Sequence, residues 1–340
     1  MPAAATISAN VLAGFEDQLA ARGVDPQDLS RACGLPVQVW RDGDAEIPLS
    51  GFVRLLQQGA RSSGDPAFGW EAGRSFDLLS LGMLGEAILA APDLGSALST
   101  FADFLRLIQS VSELRLEVEN GEALLSYRIL DPDIWPRQQD AEFSLSIFVA
   151  LIRSCTGDDW RPRALGFEHG PARAEDDWQR ELKGTCRFGA TSNAITLTEG
   201  LLDRPMPRGD RRTWHRRSTA LRRAVLQREH AGPLSDRVAS AILAALGQEP
   251  IDQTRIAGKL GLSRRSLRRK LEAEGTSFAK VLWDCRFRLA QHGLLHGQRP
   301  LSEIALDLGY SDQSAFARAF KQHSGLTPGD YRQRQGDLSD

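Results

Sequence analysis

Cysteine, methionine and tyrosine are all scarce in this chain of 340 residues, with four, three and three copies. The cysteines, Cys33, Cys155, Cys186 and Cys285, are scattered and form no Cys-x-x-Cys pair. That spacing argues against both a disulfide framework and a zinc site, and it suits a reducing cytoplasm. Long apolar runs are missing as well. No window approaches the roughly 18 uninterrupted apolar residues of a membrane helix, so no membrane partner is expected. Met1-Pro2-Ala3-Ala4-Ala5 has neither a basic start nor a long apolar core, so no signal peptide is expected. Gly82-Met83-Leu84-Gly85 is too short and apolar for a phosphate-cradling loop. His169 is the one histidine of the first 210 residues, and a lone histidine is more often structural or exposed than catalytic. Asp158-Asp159 and Glu175-Asp176-Asp177 are each followed by a tryptophan and read as solvated helix N-termini. Cys155 and Cys186 read as small buried hydrophobes. With no catalytic constellation, metal set or cofactor motif, the chain reads as a binding protein and not as an enzyme.

The charge is unevenly placed. A net charge of −2 conceals 19 Lys+Arg against 31 Asp+Glu in residues 1–210, and 23 against 11 in residues 211–335. One half therefore carries −12 and the other +12, with Asp337 and Asp340 supplying the rest. Such asymmetry suggests that one half meets a polyanion and the other does not.

Residues 1–210 read as a mixed α+β domain. Helices are expected over Val11–Arg22, Pro26–Cys33, Leu49–Arg61, Leu81–Ala91, Leu94–Ile108 and Asp140–Thr156 from apolar spacing and from Gly and Pro breaks. Leu114-Arg115-Leu116-Glu117-Val118-Glu119 alternates strictly, and Ala123–Leu130 can pair with it across Asn120-Gly121, the strongest short hairpin signal. Further strands are expected near Ala164–Glu168 and Ala194–Thr198. Trp70, Trp135, Trp160 and Trp178 can line a ligand pocket or fill the core. Residues 211–233 form an arginine-rich connector helix with Arg211, Arg212, Arg216, Arg217, Arg222, Arg223 and Arg228. Its narrow apolar stripe of Leu221, Val225 and Leu226 leaves two roles open, touching DNA phosphate or docking on the acidic first domain.

The remaining residues, 234–335, are organised by a repeat. Ile256-Ala257-Gly258-Lys259-Leu260-Gly261-Leu262-Ser263 is answered 48 residues later by Ile304-Ala305-Leu306-Asp307-Leu308-Gly309-Tyr310-Ser311. Each copy reads as a short helix, a glycine turn, a Ser N-cap and a second helix, the helix-turn-helix pattern. Gly261 and Gly309 sit where a tight turn needs positive φ. Ser263 and Ser311 are each expected to cap the following helix. A helix over Leu234–Leu246 is expected to pack beneath the first unit through Val238, Ile242 and Leu246. In the two second helices, Leu267 with Leu271 and Phe316 with Phe320 share a face at i,i+4 and should be buried. Arg264, Arg265, Arg268, Arg269 and Lys270 then point outward in the first unit. Gln313, Ser314, Ala317, Arg318 and Lys321 do so in the second. Arginine suits the O6/N7 edge of guanine, or phosphate, and glutamine the N6/N7 edge of adenine. Between the units, Ser277–His296 reads as one linker helix of about 30 Å, comparable with the roughly 34 Å between successive major grooves on one face of a duplex.

Residues 234–332 resemble the C-terminal domain of the AraC/XylS family of transcriptional regulators. The likeness is carried by Ser302-Glu303-Ile304-Ala305, Leu308-Gly309-Tyr310, Ser314-Ala315-Phe316, Arg318-Ala319-Phe320-Lys321 and Gly325-Leu326-Thr327-Pro328-Gly329-Asp330-Tyr331-Arg332. It implies that Arg265, Arg268, Arg269, Gln313, Ser314 and Arg318 reach bases. Thr276 and Arg286 match positions around the linker helix, with Arg286 directed at phosphate. Ser266 to Gly275 is two steps shorter than Ser314 to Gly325, so the first recognition helix is expected to end earlier. Residues 1–210 are similar to the arabinose-binding-like sensor domain found upstream in one branch of the family. That similarity rests on Asp65-Pro66-Ala67-Phe68-Gly69-Trp70, Trp178-Gln179-Arg180-Glu181-Leu182, Arg187-Phe188-Gly189-Ala190 and Leu201-Leu202-Asp203-Arg204-Pro205. The implied architecture is an α+β sensing and dimerisation domain followed by an all-α domain of two helix-turn-helix units joined by a linker helix. The implied partners are double-stranded DNA (major groove, two adjacent turns), a small-molecule effector, RNA polymerase for an activator, and a second copy in a homodimer. No ligand-binding residue is singled out. Two rivals remain: a DNA-localised enzyme such as a repair methyltransferase, which would need a clustered cysteine set that the sequence lacks, and a first domain that only dimerises.

Overall fold

The structure is a computed structural model describing residues 5–41, 43, 45–170, 185–190, 192–231, 233–246, 250–296 and 300–336. Contacts divide it into two compact units: residues 4–129 with 134–227, and residues 228–340 with 1–3 and 130–133.

In the first unit, β1 (Thr6–Ser8) pairs antiparallel with β2 (Glu46–Pro48). The helix expected over Val11–Arg22 is split. Ala9–Leu12 is a 3-10 turn, and Gly14 at φ +81° interrupts the chain before α1 (Phe15–Ala21). A left-handed residue cannot continue a right-handed helix. Next, α2 (Pro26–Ala32) starts on the Asp25 carboxylate, which accepts from the Gln27 and Asp28 N–H groups. Then come α3 (Leu49–Ser63) and the unanticipated α4 (Phe68–Arg74). Leu78–Leu81 forms a 3-10 turn ahead of α5 (Met83–Leu89), so that helix begins later than expected. It is followed by α6 (Leu94–Phe104). The hairpin expected at Asn120-Gly121 is present: β3 (Ser112–Glu119) and β4 (Glu122–Ile129) pair in register, with φ +54° and +80° at the two turn residues. Positive φ at both central positions matches the strand twist.

The long helix α7 (Gln138–Thr156) is buried along most of its length. Asp158-Asp159 lies in an exposed turn after that helix, not at a helix N-terminus, because the helix has already ended at Thr156. The sheet is completed by β5 (Ala164–Phe167), β6 (Thr185–Phe188) and β7 (Asn193–Thr198), in the order β3-β4-β7-β5-β6 with β5 and β6 parallel. Glu175-Asp176-Asp177 and the Trp178–Leu182 motif lie outside the described residues. Trp70 is core at 1% exposure, and Trp160 packs against that core.

Buried polar groups in this unit are largely bonded to one another, as interiors require. Arg137 donates to Glu168 and to the Ile129 carbonyl. Tyr127 donates to Asp140 and accepts from Gln109. Burial pushes the Asp140 carboxyl up to about 7 against the opposing pull of Tyr127 and Arg137. It holds His169 down at about 4, so that imidazole is neutral at neutral pH.

The connector is α8 (Arg211–Ala231). Leu221 and Val225 join the first core, and Trp214 donates from its indole to the Thr100 hydroxyl at 3.0 Å. Arg217 pairs with Glu86. Residues 211–227 therefore belong to the first unit, while Arg212, Arg216 and Arg223 stay exposed.

The second unit contains α9 (Leu234–Ala245), α10 (Gln253–Lys259), α11 (Arg264–Ala273), α12 (Phe278–His296), α13 (Leu301–Asp307), α14 (Gln313–Ser324) and α15 (Pro328–Gly336). Among the described residues no helix is long and apolar enough to cross a membrane.

Candidate nucleic-acid interface

Both helix-turn-helix units form, each with its glycine turn where the repeat places it. Gly261 and Gly309 have φ of +67° and +72° at the two turns. Helix α10 is capped by Asp252, which accepts from the Thr254 and Arg255 N–H groups. Its turn delivers α11, where the Ser263 hydroxyl accepts from the Ser266 N–H at 3.1 Å. Leu267 and Leu271 are fully buried, with Val238, Ile242, Leu246, Ile256 and Ala257 also buried in this unit. Glu274 just past α11 accepts from the Leu234 and Ser235 N–H groups and so holds the start of α9. Cys285 on α12 donates to the Ala239 carbonyl, and burial pushes its thiol up to about 12, which leaves it unreactive.

The second unit departs from the first at its cap. Ser311 does not cap α14: the Asp312 carboxylate accepts from the Ala315 N–H at 2.7 Å, and Ser311 donates to Asp312 instead. A carboxylate is the stronger acceptor at a helix N-terminus because it also carries full charge against the helix dipole. The helix accordingly starts one step later than the repeat implies. It runs for 12 residues against 10 for α11, so the first recognition helix is the shorter.

Burying one apolar stripe on each recognition helix forces the remaining faces outward. Arg264, Arg265, Arg268, Arg269 and Lys270 are all exposed on α11, and Gln313, Ser314, Arg318 and Lys321 on α14. Arg268 is tethered along its own helix to Glu272 at 2.8 Å, and Arg264 reaches Gln253 at 3.4 Å. The Arg268 pair is a solvated i,i+4 contact of small energy, easily exchanged for another anion. Arg265, Arg269 and Arg318 have no such pair among the described residues.

Arg286 is placed differently. From α12 its Nη2 donates to the Gly309 carbonyl at 3.2 Å, and its guanidinium lies 4.6 Å from the Tyr310 ring centre. It is engaged by the second turn rather than free on the surface. Thr276 follows Gly275 in the turn before α12, its N–H donating to the Leu271 carbonyl.

Among the described residues, the aromatic packing under α14 has no counterpart beneath α11. Phe316 and Phe320 meet at 5.7 Å, Phe287 reaches Phe320 at 5.2 Å, Tyr310 reaches Phe316 at 5.6 Å, and Tyr331 of α15 reaches Phe320 at 5.4 Å. The sequence pattern identified the two phenylalanines; the contribution of Phe287 and Tyr331 follows only from the fold.

Residues 23–206 match the family described as the arabinose-binding domain of AraC transcription regulator, N-terminal, and residues 256–334 match a helix-turn-helix domain family. Similar relatives include the ornithine utilization regulator of Pseudomonas aeruginosa, 28% identical over 317 residues and covering 93% of each chain. The HTH-type transcriptional regulator VirS of Mycobacterium tuberculosis is 29% identical over 336 residues, 96% of each chain. Among solved structures, the transcriptional regulator CdpR from Pseudomonas aeruginosa is 22% identical, with a TM-score of 0.40 over 79% of this chain and 87% of its own. The N-terminal match alone spans more than half of the sequence. With an arabinose-binding-like domain followed by a helix-turn-helix domain, the chain belongs to the AraC family of transcription regulators.

Proposed function

We propose that this regulator reads a specific DNA site through residues 234–335, under the control of a small-molecule effector held by residues 1–210, with residues 211–233 joining the two. Members of the family are DNA-binding regulators and not enzymes. The observation that carries the reading is the pair of recognition helices. Each is pinned by a buried apolar stripe and a capped N-terminus, and each presents cations or amides outward. Arg264, Arg265, Arg268 and Arg269 of α11 and Gln313, Ser314, Arg318 and Lys321 of α14 then enter two adjacent turns of the major groove. Arg265, Arg269, Gln313 and Arg318 address base edges, and the others address phosphate or support them. Arg286 acts through the second turn by fixing Gly309 and Tyr310. The setting is cytoplasmic, the working form a homodimer, and RNA polymerase is the further partner of an activator. One relative is named for ornithine utilization, which makes a nitrogenous metabolite a reasonable class of effector for this chain.

The test is selection of sheared genomic DNA by full-length protein at near-physiological salt, beside the Arg269→Ala/Arg318→Ala double variant. Enrichment of a few intergenic fragments, lost in the variant, is the expected result. Uniform weak recovery by both proteins would mean that the domain meets only phosphate, whose contact is indifferent to sequence, or needs its effector; if it persists with candidate effectors present, base reading is refuted.

A further inference from the structure

The first unit contains a cleft of about 370 Å³ between α6 and α8, bounded also by Leu202 and Asp203. Helix α6 contributes Ser96, Thr100 and Asp103, and α8 contributes Trp214, Ser218 and Arg222. At spacings of three and four, each set is one ridge of its helix, so the two ridges face a common space. Thr100 is already used: it donates to the Ser96 carbonyl at 2.6 Å and accepts from Trp214 at 3.0 Å. Ser218 is not. It is 6% exposed, and among the described residues its Oγ has no hydrogen-bond partner. A buried hydroxyl without a partner is unfavourable, and one that lines a cleft marks a place where a ligand atom would complete it.

The charges of the cleft make the same point independently. Asp103, Asp203 and Arg222 stand exposed at its rim, and among the described residues none of the three enters an ion pair. Opposite charges that line one space without meeting complement a molecule that carries both. A second cleft of about 270 Å³, lined mainly by Phe76, Leu78, Leu89, Ile147, Leu151 and Met206, also carries Asp77 and Arg208, but among the described residues it has no such orphaned hydroxyl.

We infer that the cleft between α6 and α8 binds a small zwitterion of the amino-acid type, with its carboxylate on Arg222, its ammonium group or groups on Asp103 and Asp203, and Ser218 bonded to its polar body. This rests on the reading of the first domain as an effector sensor and gives that effector a place and a charge pattern. One wall of the cleft is α8, the helix that continues to Ala231 and the start of the DNA-binding unit. A ligand spanning both ridges ties that helix to α6. It therefore stabilises one setting of the segment that precedes the DNA reader, the differential contact that any effector must make.

The experiment measures thermal unfolding of the full-length protein with L-ornithine and the common free L-amino acids. Putrescine, pentanoate and L-arabinose serve as probes lacking the carboxylate, the amines, or all charge. A saturating zwitterion is expected to raise Tm by about 5 °C, since a ligand bound only by the folded state must stabilise it. Putrescine and pentanoate should give much less. Arg222→Ala and Asp103→Asn, whose unliganded Tm should match that of the parent because both side chains are exposed, are expected to weaken binding roughly tenfold or more. Arg222→Lys should recover part of it. If no amino acid raises Tm, or if the shift survives unchanged in both variants, the cleft assignment is overturned. The same protein is then run through the genomic selection with and without the full probe set. Fragment recovery that responds to a probe whose binding ignores both variants places the effector elsewhere, so the sensor reading stands and the cleft fails. Recovery indifferent to every probe, together with an unmoved Tm, counts against both.

Discussion

The two helix-turn-helix units share one sequence pattern, and the fold holds them by different chemistry. In the first, the recognition helix has ten residues, an aliphatic seam of Leu267 and Leu271, a serine cap and five exposed cations. In the second it has twelve, an aromatic cluster of Phe316, Phe320, Phe287, Tyr310 and Tyr331, and an aspartate cap. Its outward face mixes Gln313 and Ser314 with Arg318 and Lys321. The backbone plan is therefore compatible with quite different side chains, provided that one stripe is buried and the first turn is capped. What the outward face holds is left for function to choose: dense positive charge in one unit, a mixture of amide, hydroxyl and cation in the other.

The largest contrast should come from the cores. Phe316→Ala removes a fully buried ring of the aromatic cluster and is expected to cost about 3–5 kcal/mol, enough to unfold the second helix-turn-helix. Leu267→Ala in the first should cost roughly 2–5 kcal/mol, because fewer atoms are lost. Denaturant unfolding followed by near-ultraviolet circular dichroism distinguishes them, since only the first change should abolish the Phe–Tyr environment. The faces come next. Arg318→Ala is expected to lose about 1–3 kcal/mol on a selected fragment and far less on random DNA. In the arginine-dense first unit, Arg269→Ala should behave the same way if it reads a base. Equal losses on both DNAs would reassign it to phosphate. Smaller still are the caps. Ser263→Ala should destabilise α11 by about 1 kcal/mol, whereas Ser311→Ala should leave the Ala315 amide as protected from hydrogen exchange as before.

The smallest effect is one of pH. The Ala315 N–H, then the Ser311 hydroxyl, hold the Asp312 carboxyl below its ordinary value. Its contribution is therefore present above the unfolded carboxylate range near 3.9 and is lost as pH falls below that value through the lower folded one. The Ser263 cap does not titrate. Amide exchange on acidification should consequently loosen the first turn of α14 before that of α11, and simultaneous loosening would remove the distinction.

Much of this was legible from local pattern. The Asn120-Gly121 hairpin, the positive-φ glycines of the two turns and the buried i,i+4 pairs all depend on neighbours in sequence, and all are present. What escaped depends on distant partners. Helix α4 carries Gly69 and Gly73, poor helix formers in isolation. They are required because a Cβ at either would lie 2.2 Å from a backbone oxygen of α7, that of Gln139 or Phe143. Tertiary packing overrode propensity there. Strand β6 alternates as Thr185-Cys186-Arg187-Phe188, but it is four residues long with no fully buried position, too short a signal to stand out. The Ser311 cap failed as an expectation because the repeat aligns serines, while the neighbouring Asp312 is the better acceptor at a helix start. The α6–α8 cleft joins residues more than a hundred positions apart, and Ser218 is a signal only once its burial is known.

The contact of Arg286 with Gly309 and Tyr310 has a mechanical consequence. It couples the linker helix to the second turn, where a Cβ at residue 309 would already sit 3.3 Å from the guanidinium. A reader with a swivelling second half could follow DNA whose half-sites are displaced by one base pair, a rotation of about 34°. A coupled one is a gauge of fixed pitch, and it reads spacing as strictly as it reads sequence. Arg286→Ala should therefore broaden the set of half-site spacings recovered from a randomised-spacer DNA library, at little cost to the preferred bases within each half-site.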